Sequence, residues 1–188
     1  MTVAASGTGA SATIIIPARY ASTRYPGKPL ALLTGAGGEQ RPLIEWTLAA
    51  ARAVQNAGAV HVATDHPLIA DAARAAGASV LMTPPECANG TERCAAALAQ
   101  LPDDVDIIVN FQGDALLTPP FVIDALLAAM VADPAIDVAT PVVRASPDVQ
   151  RRLHADQRAG RVGGTTVTFD RHHHALYFSK SVIPHLPA

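Results

Sequence analysis

Apolar and polar positions along the chain alternate between two periods. Thr13–Ile16 is a short β-branched run that stops at Pro17, as a buried parallel strand would. Leu43–Ala53 carries apolar residues at helical spacing and is closed by Asn56 and Gly58. The same alternation continues with strands predicted at Val60–Ala63, Ser79–Met82, Asp106–Asn110 and Ile136–Thr140. Helices are predicted at His66–Ala76, Thr91–Leu101 and Pro119–Val131. Pro67 is tolerated in the first turn of its helix, where an amide would lack a partner anyway. This order predicts an α/β fold with a mostly parallel sheet and helices on both faces. Ligands of such sheets lie outside the carboxyl ends of the strands, so the loops after Ile16, Ala63, Met82 and Asn110 carry the interest.

After Pro141 the pattern changes. Arg144–Gly164 is polar and charged and reads as a long loop or broken helix. Thr165–Phe169 and Ala175–Phe178 read as a β-hairpin turning through Asp170–His174. The expected organisation is a tail over residues 1–12, disordered because it is small and polar, an α/β domain over 13–143 and an appendage over 144–188.

Composition narrows the function. A net charge of −2 argues against a general nucleic-acid binder, which needs a basic stripe. The first dozen residues lack the basic start and apolar run of a signal peptide. No apolar run is long enough to span a bilayer, so a cytoplasmic protein without membrane contact is expected. Cys87 and Cys94 have no metal or redox spacing and read as ordinary thiols.

The chemistry collects in three places. The loop after the first strand, Pro17 to Pro29, holds Arg19, Arg24 and Lys28 around a flexible Gly27. Arg offers forked contacts to phosphate oxygens and Lys a movable point charge. The spacing is not that of a Walker loop, and no Gly-x-Gly-x-x-Gly follows the strand, which disfavours a dehydrogenase. Asp114 follows a buried strand and Gly113, so its carboxylate is expected at the sheet's carboxyl edge; a turn-capping role stays open. Gly113 is expected to let phosphate and metal approach closely. Asp65 is expected to cap the helix beginning near Pro67, and Glu92 to sit in a first helical turn. Three adjacent histidines, His172–His174, cannot converge on one ion from a strand unless a turn intervenes. Trp46 is expected in the core or at an interface.

Five segments together resemble the CMP-Kdo synthetases, the 3-deoxy-manno-octulosonate cytidylyltransferases. They are Ile14–Arg24 with Pro26–Leu30, Val62–His66, Gly90–Arg93, Val109–Asp114, and Ala175–Lys180 with Ile183-Pro184. The resemblance implies a Rossmann-like, glycosyltransferase-A-like nucleotidyltransferase sheet that transfers CMP from CTP to the acidic sugar Kdo and releases pyrophosphate. It places Arg19, Arg24 and Lys28 near the phosphates and sets Pro17 and Ala18 against the base through their backbone. It gives Arg93 and Gln112 to cytosine and ribose, Tyr177 and Lys180 to the sugar, and Asp114 to Mg²⁺. Arg19, Lys28 and Asp114 are then the catalytic set. It also implies a homodimer and a role in lipopolysaccharide synthesis. Three departures stand out. Ala115-Leu116 replaces the family's Glu-Pro after the aspartate, and Thr166 stands where many relatives carry lysine. The family's later sugar-binding and second metal motifs are absent from these residues. A cytidylyltransferase for another acidic sugar, such as a sialic acid, and a catalytically weak nucleotide-binding remnant therefore remain alternatives.

Overall fold

A computed structural model of the chain describes residues 11–21 and 25–184. In chain order the elements are β1 (Ala12–Ala18), a 3₁₀ turn (Lys28–Leu30), β2 (Leu32–Thr34), β3 (Gln40–Pro42), α1 (Leu43–Arg52), β4 (Ala59–Thr64), α2 (Pro67–Ala75), β5 (Ser79–Met82), α3 (Gly90–Leu98), β6 (Ile107–Asn110), α4 (Pro120–Ala132), α5 (Pro147–Arg158), β7 (Thr166–Phe169) and β8 (Ala175–Ser179). The chain divides into two compact units at Pro141/Val142.

The first unit is built around β1, whose seven residues are all buried. Its parallel neighbours are β4, in register from Thr13 opposite Ala59, and β6, from Ala12 opposite Ile107. The sheet order is β5-β4-β1-β6. Because successive side chains of a strand point to opposite faces, β1 feeds two cores. Ile14, Ile16 and Ala18 pack with Ile44 and Leu48 of α1, Ile69 of α2 and Ile123 and Leu127 of α4. Ile15 packs on the opposite face with Ala63, Leu81 and the α3 residues Cys94 and Ala97.

The two-faced arrangement follows from connection handedness. From β1 the chain steps outward to β4 and β5 through α1 and α2, then returns past β1 to β6 through α3. Right-handed crossovers in opposite directions must put their helices on opposite faces. The reversal occurs at β1, so the crevice for a ligand opens at its carboxyl end.

Ends are capped by local chemistry. Asn89 caps α3 by accepting from the Glu92 amide at 3.0 Å, while the Glu92 carboxylate accepts from the Ala88 amide at 2.9 Å. Glu92 thus lies in the first turn, as expected. Asp124 on α4 accepts from the Gln55 and Asn56 amides at 3.0 and 2.9 Å and so ties the loop after α1 to that helix.

Several sequence expectations are corrected. Ile136–Thr140 forms no strand. The segment turns on Asp133, whose carbonyl accepts from the Ile136 amide at 3.1 Å. Residues 137–141 then run past β6 without pairing, leaving an apolar groove of about 570 Å³ between them. Strand-forming residues without a ladder partner stay irregular. The hairpin of β2 and β3 is not signalled in the sequence, since each strand is only three residues long. It is held by Trp46, whose indole N–H donates to the Leu33 carbonyl at 3.3 Å, while Arg41 lies over the ring at 5.0 Å.

In the second unit, Arg144–Gly164 contains a continuous helix, α5, where a loop or broken helix was expected. Ser146 caps it by accepting from the Val149 amide at 3.3 Å, followed by Pro147 and Asp148 in the first turn. The expected hairpin is present as β7 and β8.

His61 on β4 has a buried Nδ1 with no hydrogen-bond partner, and burial lowers its pKa below the ordinary value of 6.5. The unfolded chain therefore takes up this proton first as pH falls. The resulting loss of stability is absent above pH 6.5, grows below it, and levels off only below the lowered folded pKa. Urea midpoints measured from pH 7.5 to 5 should fall in the wild type, and the fall should be shallower in His61→Leu.

Candidate active site

A cleft of about 320 Å³ opens at the carboxyl ends of β1 and β6. One side is formed by Pro17, Ala18 and Arg19, the opposite side by Ala88–Gly90 and Arg93, and its base by Gln112, Gly113 and Asp114. Lys28, Pro29 and Leu43 complete it. Of the residues singled out from the sequence, Pro17, Ala18, Arg19, Lys28, Arg93, Gln112 and Asp114 therefore share one cavity. Arg24 lies outside the described residues. Tyr177 and Lys180 lie on the hairpin of the second unit, where Tyr177 is exposed and the Lys180 ammonium donates to the Thr165 hydroxyl at 2.6 Å.

Backbone geometry builds this cleft. Gly27 takes a left-handed conformation, φ 66°, and its amide donates to the Tyr20 carbonyl at 2.9 Å. That bond closes the first loop at its base and delivers Lys28 to the cleft. Gly113 meets a packing requirement that the sequence does not announce. A Cβ there would lie 2.9 Å from the carbonyl oxygen of Pro17, so any side chain would force the β1 and β6 ends apart. The Thr47 hydroxyl on α1 donates to the Gly113 carbonyl at 2.9 Å and fixes the turn from the other side.

The charges are arranged in two pairs. Lys28 donates to the Asp114 carboxylate at 2.6 Å, with both side chains about half exposed. Such a pair contributes little to stability but sets where both groups point. The second pair is buried: Arg93 donates to Asp65 at 3.1 Å, with side-chain exposures of 2% and 9%. Arg93 also donates to the Thr83 hydroxyl at 2.6 Å. Asp65 is thus not the cap of α2, as expected; His66 is, accepting from the Leu68 amide at 3.3 Å through Nδ1. The His66 ring stacks on Tyr20 with centroids 3.9 Å apart. Gln112 donates to Asn110 at 2.9 Å, and Asn110 to Thr91 at 3.3 Å. This polar chain leads from Gln112 in the cleft to Asn110 and Thr91 in the neighbouring groove, and sequence reasoning assigned those two no role although both lie within the motif segments.

Asp114 is the acidic residue in the cleft lining. Among the described residues, no group of three His, Cys, Asp or Glu is placed to hold a metal ion by itself. The histidine run supplies none either, although a turn does intervene there: Asp170 accepts from the His172 and His174 amides at 2.7 and 2.9 Å. No helix among the described residues is long and apolar enough to cross a membrane.

Known proteins resemble the chain over most of its length. The cytidylyltransferase family model matches residues 13–187. A 3-deoxy-manno-octulosonate cytidylyltransferase of Maricaulis maris is 46% identical over 174 residues, 93% of this chain and 65% of its own length. The mitochondrial 3-deoxy-manno-octulosonate cytidylyltransferase of Arabidopsis thaliana is 37% identical over 91% of this chain and 54% of its own. Among solved structures, a CMP:2-keto-3-deoxy-manno-octonic acid synthetase complexed with CTP superposes with a TM-score of 0.77 at 33% identity, over 94% of this chain and 66% of that one. The chain thus spans less than two thirds of the length of these curated relatives.

The two thiols differ in environment. Cys94 lies on the buried face of α3, and burial pushes its pKa up to about 11, with the nearby Arg93 opposing only in part. Cys87 is half-buried beside the cleft. At pH 8 a disulfide reagent such as Ellman's should titrate Cys87 in the native protein and Cys94 only after denaturation, since thiolate is the reacting species. Two thiols reacting equally fast in the folded chain would contradict the buried placement of Cys94.

Proposed function

The chain belongs to the cytidylyltransferase family, and from that premise we propose that it carries the nucleotide-binding machinery for transferring CMP from CTP to 3-deoxy-manno-octulosonate, with release of pyrophosphate. The observation that carries this reading is the Lys28–Asp114 pair in the lining of a cleft that Arg19 also lines. Cations and a carboxylate at the carboxyl edge of a parallel sheet suit a triphosphate whose charge must be balanced during transfer. The similarity to a synthetase described as complexed with CTP supports the choice of nucleotide, and the names of the relatives support the choice of sugar.

In this reading the sugar hydroxyl attacks the α-phosphorus in line and pyrophosphate departs, without a covalent enzyme intermediate. Arg19, Arg24 and Lys28 hold the phosphates. Pro17 and Ala18 present backbone groups to the base, while Arg93 and Gln112 recognise cytosine and ribose. Tyr177 and Lys180 serve the sugar. The donor set at Asp114 fits Mg²⁺ on one condition: a single carboxylate needs phosphate oxygens and waters to complete the shell, which suits an ion that keeps several waters. When bound, that ion supplies charge neutralisation at the phosphates. Lys28, now held by Asp114, would be free to pair with the nucleotide phosphates where Asp114 holds the ion. We further propose that the protein works in the cytoplasm as a homodimer, its product feeding lipopolysaccharide synthesis.

The test is an assay with CTP, Mg²⁺ and a panel of acidic sugars. Turnover with 3-deoxy-manno-octulosonate above all others supports the reading. Preference for a sialic acid changes the sugar, and CTP binding without turnover leaves a binding module. In an active chain, Asp114→Asn is nearly isosteric and should keep the fold while abolishing Mg²⁺-dependent turnover. Lys28→Ala should lower kcat more than it raises KM, because its charge matters most as charge develops. A variant at Asp114 that turns over like the wild type would reduce this residue to a turn aspartate.

A further inference from the structure

Asp65 lies outside the cleft lining, yet it bonds to both sides of the cleft. Its Oδ2 accepts from the Arg93 guanidinium at 3.1 Å, and Arg93 lines the side formed by the start of α3. Its Oδ1 accepts, over a long 3.5 Å, from the amide of Tyr20, the residue after Arg19 on the opposite side. The carboxylate is 9% exposed and the guanidinium 2%, so each is the other's charge balance away from water. Thr83 at the end of β5 takes the remaining face of Arg93 at 2.6 Å, and the Thr83 amide donates to the Thr64 carbonyl at 2.9 Å. The carboxyl ends of β4 and β5, the first turn of α3 and the root of the first loop thus meet at one buried ion pair.

The two sides of the cleft have little slack where they approach. A Cβ on Gly90 would stand 3.1 Å from the Pro17 ring and 3.4 Å from the Gln112 carboxamide. A shift of Arg93 with the first turn of α3 therefore changes the opening directly. Tyr20, held at its amide by Asp65 and at its ring by the His66 stack, also receives the Gly27 amide that sets the approach to Lys28.

From this juxtaposition we propose that Asp65 is a positioning residue for the nucleotide: it fixes the separation of the Pro17–Arg19 side from the α3 side by holding Arg93 and Tyr20 on its two carboxylate oxygens. It touches no substrate. The inference rests on the nucleotide-binding reading of the cleft. A displacement of a site's walls by a fraction of an ångström is felt in binding even when every contacting residue is retained.

The experiment compares wild type, Asp65→Glu and Asp65→Asn in the full chain, measuring CTP affinity by calorimetry, melting temperature, and KM and kcat. Asp65→Glu keeps the charge and the pair with Arg93 but lengthens the tie by one methylene. It should melt near the wild type and bind CTP about tenfold more weakly, with KM for CTP raised and kcat at saturation retained, since Lys28 and Asp114 are untouched. Asp65→Asn should lose both affinity and melting temperature, because Arg93 is left with an uncompensated buried charge. If it fails to fold, Asp65→Glu alone decides the question. A folded Asp65→Glu with wild-type CTP affinity overturns the proposal and leaves Asp65 as a structural ion-pair partner. A loss confined to kcat also overturns it. A wild-type chain that binds no CTP overturns the nucleotide reading itself, and this inference with it.

Discussion

Everything else in the first unit depends on the complete burial of β1. A strand buried on both faces and along both edges can give its polar backbone groups only to neighbouring strands, so β4 and β6 must flank it in register. Both neighbours are parallel to it, which obliges each connection to cross a face of the sheet. One set of crossovers leads away from β1 and the other leads back, and the helices divide between the faces accordingly. At its carboxyl end the ladder to β6 stops at Ile15 while Pro17 and Ala18 still pair with β4, and the loop with Arg19 begins beside the gap. The cleft is thus a consequence of how the core is wrapped.

Much of this was legible in the sequence because it is written in short-range patterns. The β-branched run at Thr13–Ile16, the apolar spacing of Leu43–Ala53 and the strand Ser79–Met82 each announce an element without reference to the rest of the chain. Of the seven cleft residues, Arg19, Lys28 and Asp114 stand out by their chemistry after predicted strands, whereas Pro17, Ala18, Arg93 and Gln112 are reached only through the family resemblance. Ile136–Thr140 shows the limit of that reasoning. Its residues favour extended backbone, but a strand exists only where a partner offers a ladder, and residues 137–141 pass β6 at the distance of a groove. The opposite error at Arg144–Gly164 came from polarity: α5 buries no residue, so it has no apolar stripe to read, although Ser146-Pro147-Asp148 is a clear start signal.

Asp65 illustrates a different kind of illegibility. An aspartate between a strand and a Pro-led helix is a good cap by every local rule. What decides its role is Arg93, 28 positions later, together with the fact that His66 can do the capping. Competition between two adjacent residues for one local task is settled by a distant partner. The same holds at Gly113. Sequence pointed to a glycine near phosphate; the structure shows a glycine pressed on the Pro17 carbonyl, a requirement of strand packing that the site inherits.

The Lys28–Asp114 pair has one further effect, on what the cleft ignores. A pocket lined by bare cations draws every passing polyanion, from inorganic phosphate to RNA, with a force that only salt restrains. Here the ammonium is already occupied by a carboxylate at 2.6 Å, so the field that Lys28 contributes reaches solvent muted. A visitor carrying negative charge alone must break the pair and leave Asp114 stranded. One that arrives already complexed with a cation can satisfy both members at once. The pair thus sets one charge of each sign side by side in the lining, an arrangement complementary to guests that bring charge of both signs.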